Sequence, residues 1–287
     1  MKKALIILSF LFIVLGGIFF YQKAIFFDGK LHVVFCNVGE GDGIFIRTPT
    51  AKNILIDGGP DDSILSCLSK NMPFWDRKID IIFLSHPHAD HLNGLISVLN
   101  RYQVMHYVTE KVENGTLLEK TEKQLLADKK LTANYFSKGD RIVISEKTQF
   151  KTLWPPKELT NSRLKSSKND NLDINGFALG QLLIYKNFRV LFTSDLEIPA
   201  IDRIAEEAGR VTVLKVSHHG SKNGLDKTVL NFTAPKLAVI SVGKNSYGHP
   251  TSLVLSLLKN AGIKTLRTDQ VGDIELISDG EVYKIKN

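Results

Sequence analysis

His86-Pro87-His88-Ala89-Asp90-His91 puts three of the chain's eight histidines and a carboxylate within six residues. The cluster follows an apolar run, 79–84, that reads as a buried strand. Side chains two apart on extended backbone point the same way, so His86 and His88 can share one metal ion. Asp90 and His91 fall at the turn into a helix, where they can reach a second ion beside it. Imidazole and carboxylate donors at this density suit zinc or manganese, and a merely solvated turn would not concentrate them so. Asp195 ends another apolar run, 190–194. A carboxylate at the end of a buried strand needs a partner. Bridging two metals would satisfy it, and capping the helix that begins near Pro199 is the alternative. His218-His219-Gly220-Ser221 ends a third run, 211–216. Neighbouring residues on a strand point opposite ways, so one histidine of this pair faces the metal and the other lines the pocket.

The elements that must position these residues alternate along the chain. Strands are expected at 31–36, 43–47, 53–56, 79–84, 141–145, 150–154, 177–185, 189–193, 211–216 and 237–242, with further short strands at the C-terminus. Helices are expected at 63–69, 90–102, 116–126, 199–208, 225–232 and 252–261, the last ended by Gly262. Residues 155–175 carry Pro-Pro, Ser-Ser and Asn-Asp-Asn and read as a long loop. Two halves of mixed strands and helices imply sheets packed face to face with helices outside.

Composition agrees with this and adds a basic balance. The 287 residues are 43% hydrophobic and 23% charged, which excludes disordered and fibrous chains. A formal net charge of +7 tilts the partners towards anions such as nucleic acid, phosphorylated polymer or membrane. Residues 4–20 form an uncharged apolar run of 17 after Lys2 and Lys3. That length is at the short end of a bilayer span. No small-residue cleavage site follows, so residues 1–23 read as a signal anchor with a cytoplasmic N-terminus, a cleaved signal peptide being the alternative. Residues 30–287 would then lie outside the cytoplasm. Cys36 and Cys67 could pair there, but two free buried thiols are the expectation.

The motifs resemble a known family. His86-x-His88-x-Asp90-His91, with Asp57-Gly58-Gly59 before it and Asp195 and His219 after it, is similar to the metallo-β-lactamase fold. Asn37-Val38-Gly39-Glu40-Gly41-Asp42, Leu214-Lys215-Val216-Ser217-His218-His219-Gly220-Ser221 and Ser241-Val242-Gly243-Lys244-Asn245-Ser246-Tyr247-Gly248-His249-Pro250 more narrowly resemble the hydrolase domain of the ComEC competence proteins, as do Arg267-Thr268-Asp269 and Gly272. The likeness covers about 30–277. It implies an α/β, four-layer αββα sandwich preceded by one hydrophobic helix, and a free-standing relative of that domain. It assigns His86, His88 and Asp195 to one divalent ion and Asp90, His91, Asp195 and His219 to the other, with His218 beside them. Asp57 would orient a ligand histidine, and Asp42 lies in the glycine-rich turn near the metals. This sequence departs from the fold's usual pattern in lacking a third histidine between His91 and Asp195, since His106 lies too early and reads as structural, like His32. Asn175 is the nearest candidate for that place. Asn37, Glu40 and Ser194 also differ from the group's usual Asp, Gln and Gly.

The chemistry implied is hydrolysis assisted by two ions, zinc or manganese, with a phosphodiester as substrate and DNA the first candidate. Asp90 and His218 are read as catalytic within the ligand turns. His249 would protonate the leaving oxygen and Lys244 would neutralise charge in the transition state. Lys157, Arg163, Lys165 and Lys168 on the long loop, with Ser221 and Tyr247, are candidate substrate contacts. A phosphorylcholine-type esterase acting on surface polymers is the alternative enzyme. A membrane-anchored module that binds DNA or polymer without cutting it is the alternative of another class.

Overall fold

The computed structural model describes residues 2–165 and 173–286. The chain opens on α1 (Lys2–Phe26), long and apolar enough over Leu5–Phe26 to cross a membrane. The first half then runs through β1 (Leu31–Phe35), β2 (Ile44–Arg47), β3 (Asn53–Ile56), α2 (Ser63–Asn71), β4 (Lys78–Phe83), α3 (Ala89–Arg101), β5 (Gln103–Thr109), α4 (Leu117–Asp128) and β6 (Ala133–Tyr135). The second half comprises β7 (Arg141–Ser145), β8 (Thr148–Trp154), α5 (Lys157–Lys165), β9 (Gly180–Tyr185), β10 (Phe188–Phe192), α6 (Ala200–Ala208), β11 (Val213–Lys215), α7 (Lys227–Thr233), β12 (Leu237–Ile240), α8 (Ser252–Asn260), β13 (Lys264–Arg267) and the single turn α9 (Thr268–Val271). Two last strands, β14 (Ile274–Ser278) and β15 (Tyr283–Lys286), return to the first half.

Two sheets result, ordered β15-β14-β1-β2-β3-β4-β5-β6 and β13-β12-β11-β10-β9-β8-β7. Most strands are apolar on both faces, as Ile44, Phe45 and Ile46 of β2 show, because each sheet is covered twice. Val33, Ile46, Phe83, Leu183, Val190 and Val239 fill the layer between the sheets. The outer face of the first sheet packs on α2 and α3 through residues such as Leu68, Leu92, Leu95 and Leu99. That of the second packs on α6, α7 and α8 through Ile201, Ile204, Val229 and Val254. The four-layer sandwich expected from the sequence is therefore the observed fold.

Topology gathers the polar ends. β3, β4, β5 and β6 are parallel, and so are β10, β11, β12 and β13. Parallel sheets bind ligands beyond the carboxyl ends of their strands. Asp57, His86, Asp195, His219 and Ser241 each lie just past such an end, so one rim of the sandwich collects them.

Two expectations are corrected. Residues 155–175 are not all loop, because α5 occupies Lys157–Lys165 and a 3₁₀ turn occupies Ile174–Phe177. Pro155-Pro156 starts that helix, the Pro156 carbonyl accepting from the backbone of Leu159 and Thr160, and proline suits a helix's first turn. Leu159 packs against Val112, Ile174 and Phe177, which secures an otherwise polar segment. Cys36 and Cys67 are not free thiols; they form a disulfide joining the end of β1 to α2, with Cα atoms 5.8 Å apart.

Candidate metal centre

The Asp57 carboxylate organises the histidine turn. Its Oδ1 accepts from the Ser85 amide (2.7 Å), and its Oδ2 accepts from Ser85 Oγ (2.7 Å) and from His91 Nδ1 (2.8 Å). With its proton spent on Asp57, Ser85 Oγ accepts from His86 Nδ1 at 3.0 Å. Both imidazoles are thereby fixed with Nδ1 engaged and Nε2 turned away from Ser85 and Asp57. His86 Nε2 lies 3.0 Å from His88 Nδ1, so these two nitrogens share one direction. His219 donates from Nδ1 to the Ser241 carbonyl (2.9 Å), which turns its Nε2 towards Asp195 and Asp90. Such outer hydrogen bonds set the tautomer and orientation of metal-ligating histidines.

Around Asp195 the ligand atoms converge. Its Oδ2 lies 3.2 Å from His91 Nε2, 3.5 Å from His219 Nε2 and 3.7 Å from His218 Nε2. Asp90 Oδ2 lies 3.6 Å from His91 Nε2 and 3.4 Å from His219 Nε2. One atom from each of Asp90, His91, Asp195 and His219 falls within 4.8 Å of all the others. Yet His91 Nε2, His219 Nε2 and Asp195 Oδ1 are buried without a hydrogen-bond partner. Close approach without hydrogen-bond geometry is what a cation between the atoms would explain, so the donor set fits a divalent metal. His86 and His88 fall outside that group of four and outside the neighbouring group of Asp42, Asp57 and His91. Asn175, in the 3₁₀ turn before β9, is buried with its Oδ1 unpartnered.

The electrostatics point the same way. Burial and the neighbouring His91 hold His86 well below its ordinary pKa, so its imidazole is neutral. Burial opposes charge on Asp195, but His219 and His91 outweigh it and hold the carboxyl well below its ordinary range. Burial likewise opposes charge on His219, and Asp195 and Asp90 push it up to about 10. These carboxylates are kept ionised by positive charge beside them, the charge a divalent ion supplies.

Backbone and chain packing hold the cluster in a conformation few sequences tolerate. Asp57, Ser194, His218 and His219 all have φ between 47° and 58°, left-handed backbone that non-glycine residues rarely adopt and that collects at functional sites. Gly94 of α3 has no room for a side chain, since a Cβ would lie 2.0 Å from the Gly58 carbonyl oxygen. That approach lets Gly94 donate to Gly59 and Gly58 donate to His91, pinning α3 to the Asp57 turn.

Two further imidazoles stand at the mouth, each backed by a carboxylate. His218 donates from Nδ1 to Glu197 Oε1 (2.9 Å), and its ring is 5.5 Å from that of His249. His249 Nδ1 is 3.4 Å from Glu40 Oε1, and Tyr247 stacks on its ring. Lys244 is exposed on the same loop. Ser221 gives its hydroxyl to Glu197 Oε1 (3.0 Å). Lys157 is exposed on α5, 4.0 Å from Asp140; Arg163 and Lys165 lie further along that helix, and Lys168 lies outside the described residues. His106 is exposed on β5, and His32 sits between Asp28 and Glu275, neither near the cluster. The sequence reading missed Glu197 and Lys215. Lys215 is fully buried, with Nζ against Asp42 Oδ2 and 3.9 Å from Asp195 Oδ1. A lysine inside the apolar strand Val213–Lys215 was the available signal.

A sandwich of two sheets with histidine and carboxylate ligands gathered on one rim defines the class. The chain belongs to the family described as Beta-lactamase superfamily domain, whose model matches residues 52–220, and it carries the metallo-β-lactamase fold, which is usually hydrolytic. Among its relatives, ComE operon protein 3 of Bacillus subtilis is 29% identical over 91% of this chain and 33% of its own length. Competence protein ComA of Neisseria gonorrhoeae is 25% identical over 92% of this chain and 34% of its own. The chain thus spans about a third of the length of these curated relatives. Among solved structures, the metallo-β-lactamase fold protein YhfI of Bacillus subtilis superposes with a TM-score of 0.59 at 11% identity, covering 87% of this chain and all of that one.

Proposed function

We propose that this protein is a phosphodiesterase dependent on two divalent ions, zinc or manganese, and that DNA outside the cytoplasm is its first candidate substrate. The observation that carries this is the convergence of Asp90, His91, Asp195 and His219 on one point, with three of their atoms buried and unpartnered. Those four residues would hold one ion, and His86, His88 and Asp195 the other. When bound, the ions supply Lewis acidity that makes a water nucleophilic near neutral pH and offsets charge on the attacked phosphoryl group. Asp57, Ser85 and Ser241 keep the ligand imidazoles in the correct tautomer. Lys215 offsets the buried charge of Asp42 and Asp195. His249, backed by Glu40, would deliver a proton to the leaving oxygen; His218, backed by Glu197, would hold a phosphoryl oxygen; Lys244 would meet charge from the open side.

DNA is favoured by the resemblance to the ComEC competence proteins, by the competence name of the Neisseria gonorrhoeae relative and by the net charge of +7. α1 would anchor residues 30–287 outside the membrane, because Lys2 and Lys3 precede its apolar run and Lys23 alone lies within its last turn. The test incubates the full chain with single- and double-stranded DNA, and separately with a phosphorylcholine ester, in zinc or manganese, beside Asp90→Ala. Metal-dependent DNA cleavage lost in Asp90→Ala is the expected result. Cleavage of the ester alone would replace DNA with surface polymers, and no hydrolysis of either would refute the enzyme.

A further inference from the structure

The first sheet carries a second polar assembly far from the metal ligands. Four adjacent strands present alternate residues to its outer face. The register sets Lys284 of β15 opposite Ile277, Ile277 opposite His32, and His32 opposite Arg47 of β2. Elsewhere that face is sealed by α2 and α3. Here the last turns of α1 stand beside the strands and border a half-open cavity of about 530 Å³, lined by Arg47, Lys70, Lys284, Lys286, His32 and Tyr21 among others.

The helix end is fixed to the domain at this spot. Phe19 packs on Trp75 at 4.7 Å, the Phe74 amide donates to Gln22 Oε1 (3.0 Å), and Arg47 Nη1 donates to the Phe26 carbonyl (3.3 Å). The Arg47 guanidinium also lies 5.6 and 5.1 Å from the ring centroids of Phe26 and Phe27.

The charge lining the cavity is predominantly positive. Its two carboxylates, Asp28 and Glu275, are both engaged by His32 at 2.9 and 2.7 Å. Lys286 also reaches Glu275, Lys70 reaches Asp273, and Arg47 Nη2 reaches Asp76. Arg47 is buried, and its Nε has no hydrogen-bond partner. Lys284 makes no ion pair among the described residues. A half-open pocket in which Lys284 and the buried Arg47 Nε are left without partners among the described residues suits an oxyanion.

Which oxyanion follows from position. If α1 crosses the membrane, as proposed above, its last turns mark the depth of the lipid headgroups. Tyr21 and Phe74 are exposed there beside Trp75, and aromatic side chains gather at that depth. We propose that this cavity binds the phosphate headgroup of an anionic glycerophospholipid, with Lys70, Lys284 and Arg47 as its contacts. The bound lipid would clamp the end of α1 to β1 and β2. Because β1 leads directly into the turn carrying Asp42, the clamp would set the orientation of the catalytic rim relative to the bilayer.

The inference rests on the membrane-anchor reading, and the experiment separates the two. The full chain is reconstituted into phosphatidylcholine vesicles and extracted with alkaline carbonate. In detergent it is then titrated with phosphatidylglycerol or phosphatidylcholine and retained lipid is counted by native mass spectrometry. Lys70→Gln/Lys284→Gln is compared with Lys129→Gln/Lys130→Gln, which removes the same charge from the turn after α4; thermal melting checks that both fold. We expect the chain to resist extraction and to retain phosphatidylglycerol over phosphatidylcholine by about tenfold or more, a preference lost in the first variant and kept in the second. Extraction by carbonate would overturn the anchor and this inference together. Resistance to extraction with equal retention of both lipids, or equal losses in both variants, would overturn the lipid site alone. Displacement of phosphatidylglycerol by soluble glycerol phosphate would reassign the cavity to a free phosphate ester and overturn the lipid proposal.

Discussion

Asp57→Asn should separate the orienting of a ligand from the holding of the fold. The substitution is nearly isosteric, and the asparagine oxygen can still accept from the Ser85 amide, as Asp57 Oδ1 does at 2.7 Å. Its amide nitrogen then faces His91 Nδ1, where Asp57 Oδ2 accepts at 2.8 Å. Two donors cannot share that contact, so His91 must move its proton to Nε2, the atom aimed at Asp195. Loss of such an outer partner weakens metal binding by roughly ten- to a hundredfold, or about 1.4–2.7 kcal/mol. The metal-free fold should not suffer equally. Burial holds the Asp57 carboxyl above its ordinary pKa, so its charge is unfavourable without metal, and a neutral amide removes that cost. The assay is zinc affinity by chelator competition beside thermal melting of the metal-free chain. Unchanged zinc affinity would refute the orienting role. Equal losses of affinity and of metal-free stability would make Asp57 merely structural.

Other perturbations have expected outcomes of their own. Lys215→Met leaves Asp42 buried without its cation and should cost about 3–5 kcal/mol in chemical unfolding, whereas a cost under about 1 kcal/mol would show that the pair is not coupled. The Cys36–Cys67 bridge closes a separation of 31 residues, so Cys36→Ser/Cys67→Ser should lose about 3–4 kcal/mol, read as a lower urea midpoint. His32 is pushed above its ordinary pKa, since burial opposes its charge but Glu275 and Asp28 outweigh burial. A raised value stabilises the fold below the unfolded pKa, and that gain fades as pH rises through the folded one. Wild type should therefore exceed His32→Gln in stability more at pH 5.5 than at pH 9, and a constant gap would contradict this.

Much of the fold, and the convergence of Asp90, His91, Asp195 and His219, was legible because it is written locally. Apolar runs ending in His or Asp gave the parallel strands their rim, and β3 and β7 begin and end where the sequence pattern places them. What escaped the sequence depends on contacts between distant residues. Glu197 became meaningful only when the left-handed backbone at His218 turned that side chain towards it. Lys215 reads as an intrusion in a buried strand until Asp42 is brought against it from the other half of the sandwich. The disulfide needed β1 packed on α2, which nothing between residues 36 and 67 announces. α5 was hidden by composition, since its sequence is polar and its two leading prolines resemble loop punctuation rather than a helix start. β6 is three residues long and owes its place to pairing with β5.

The most direct test of the metal centre is a count of zinc or manganese ions bound to the full chain, by native mass spectrometry, in wild type and Asp195→Ala. Asp195 is the carboxylate assigned to both ions, so two ions per wild-type chain, with at least one lost in the variant, is the expected result. No ion in the wild type at micromolar free metal, or an equal count in the two proteins, would contradict the assignment.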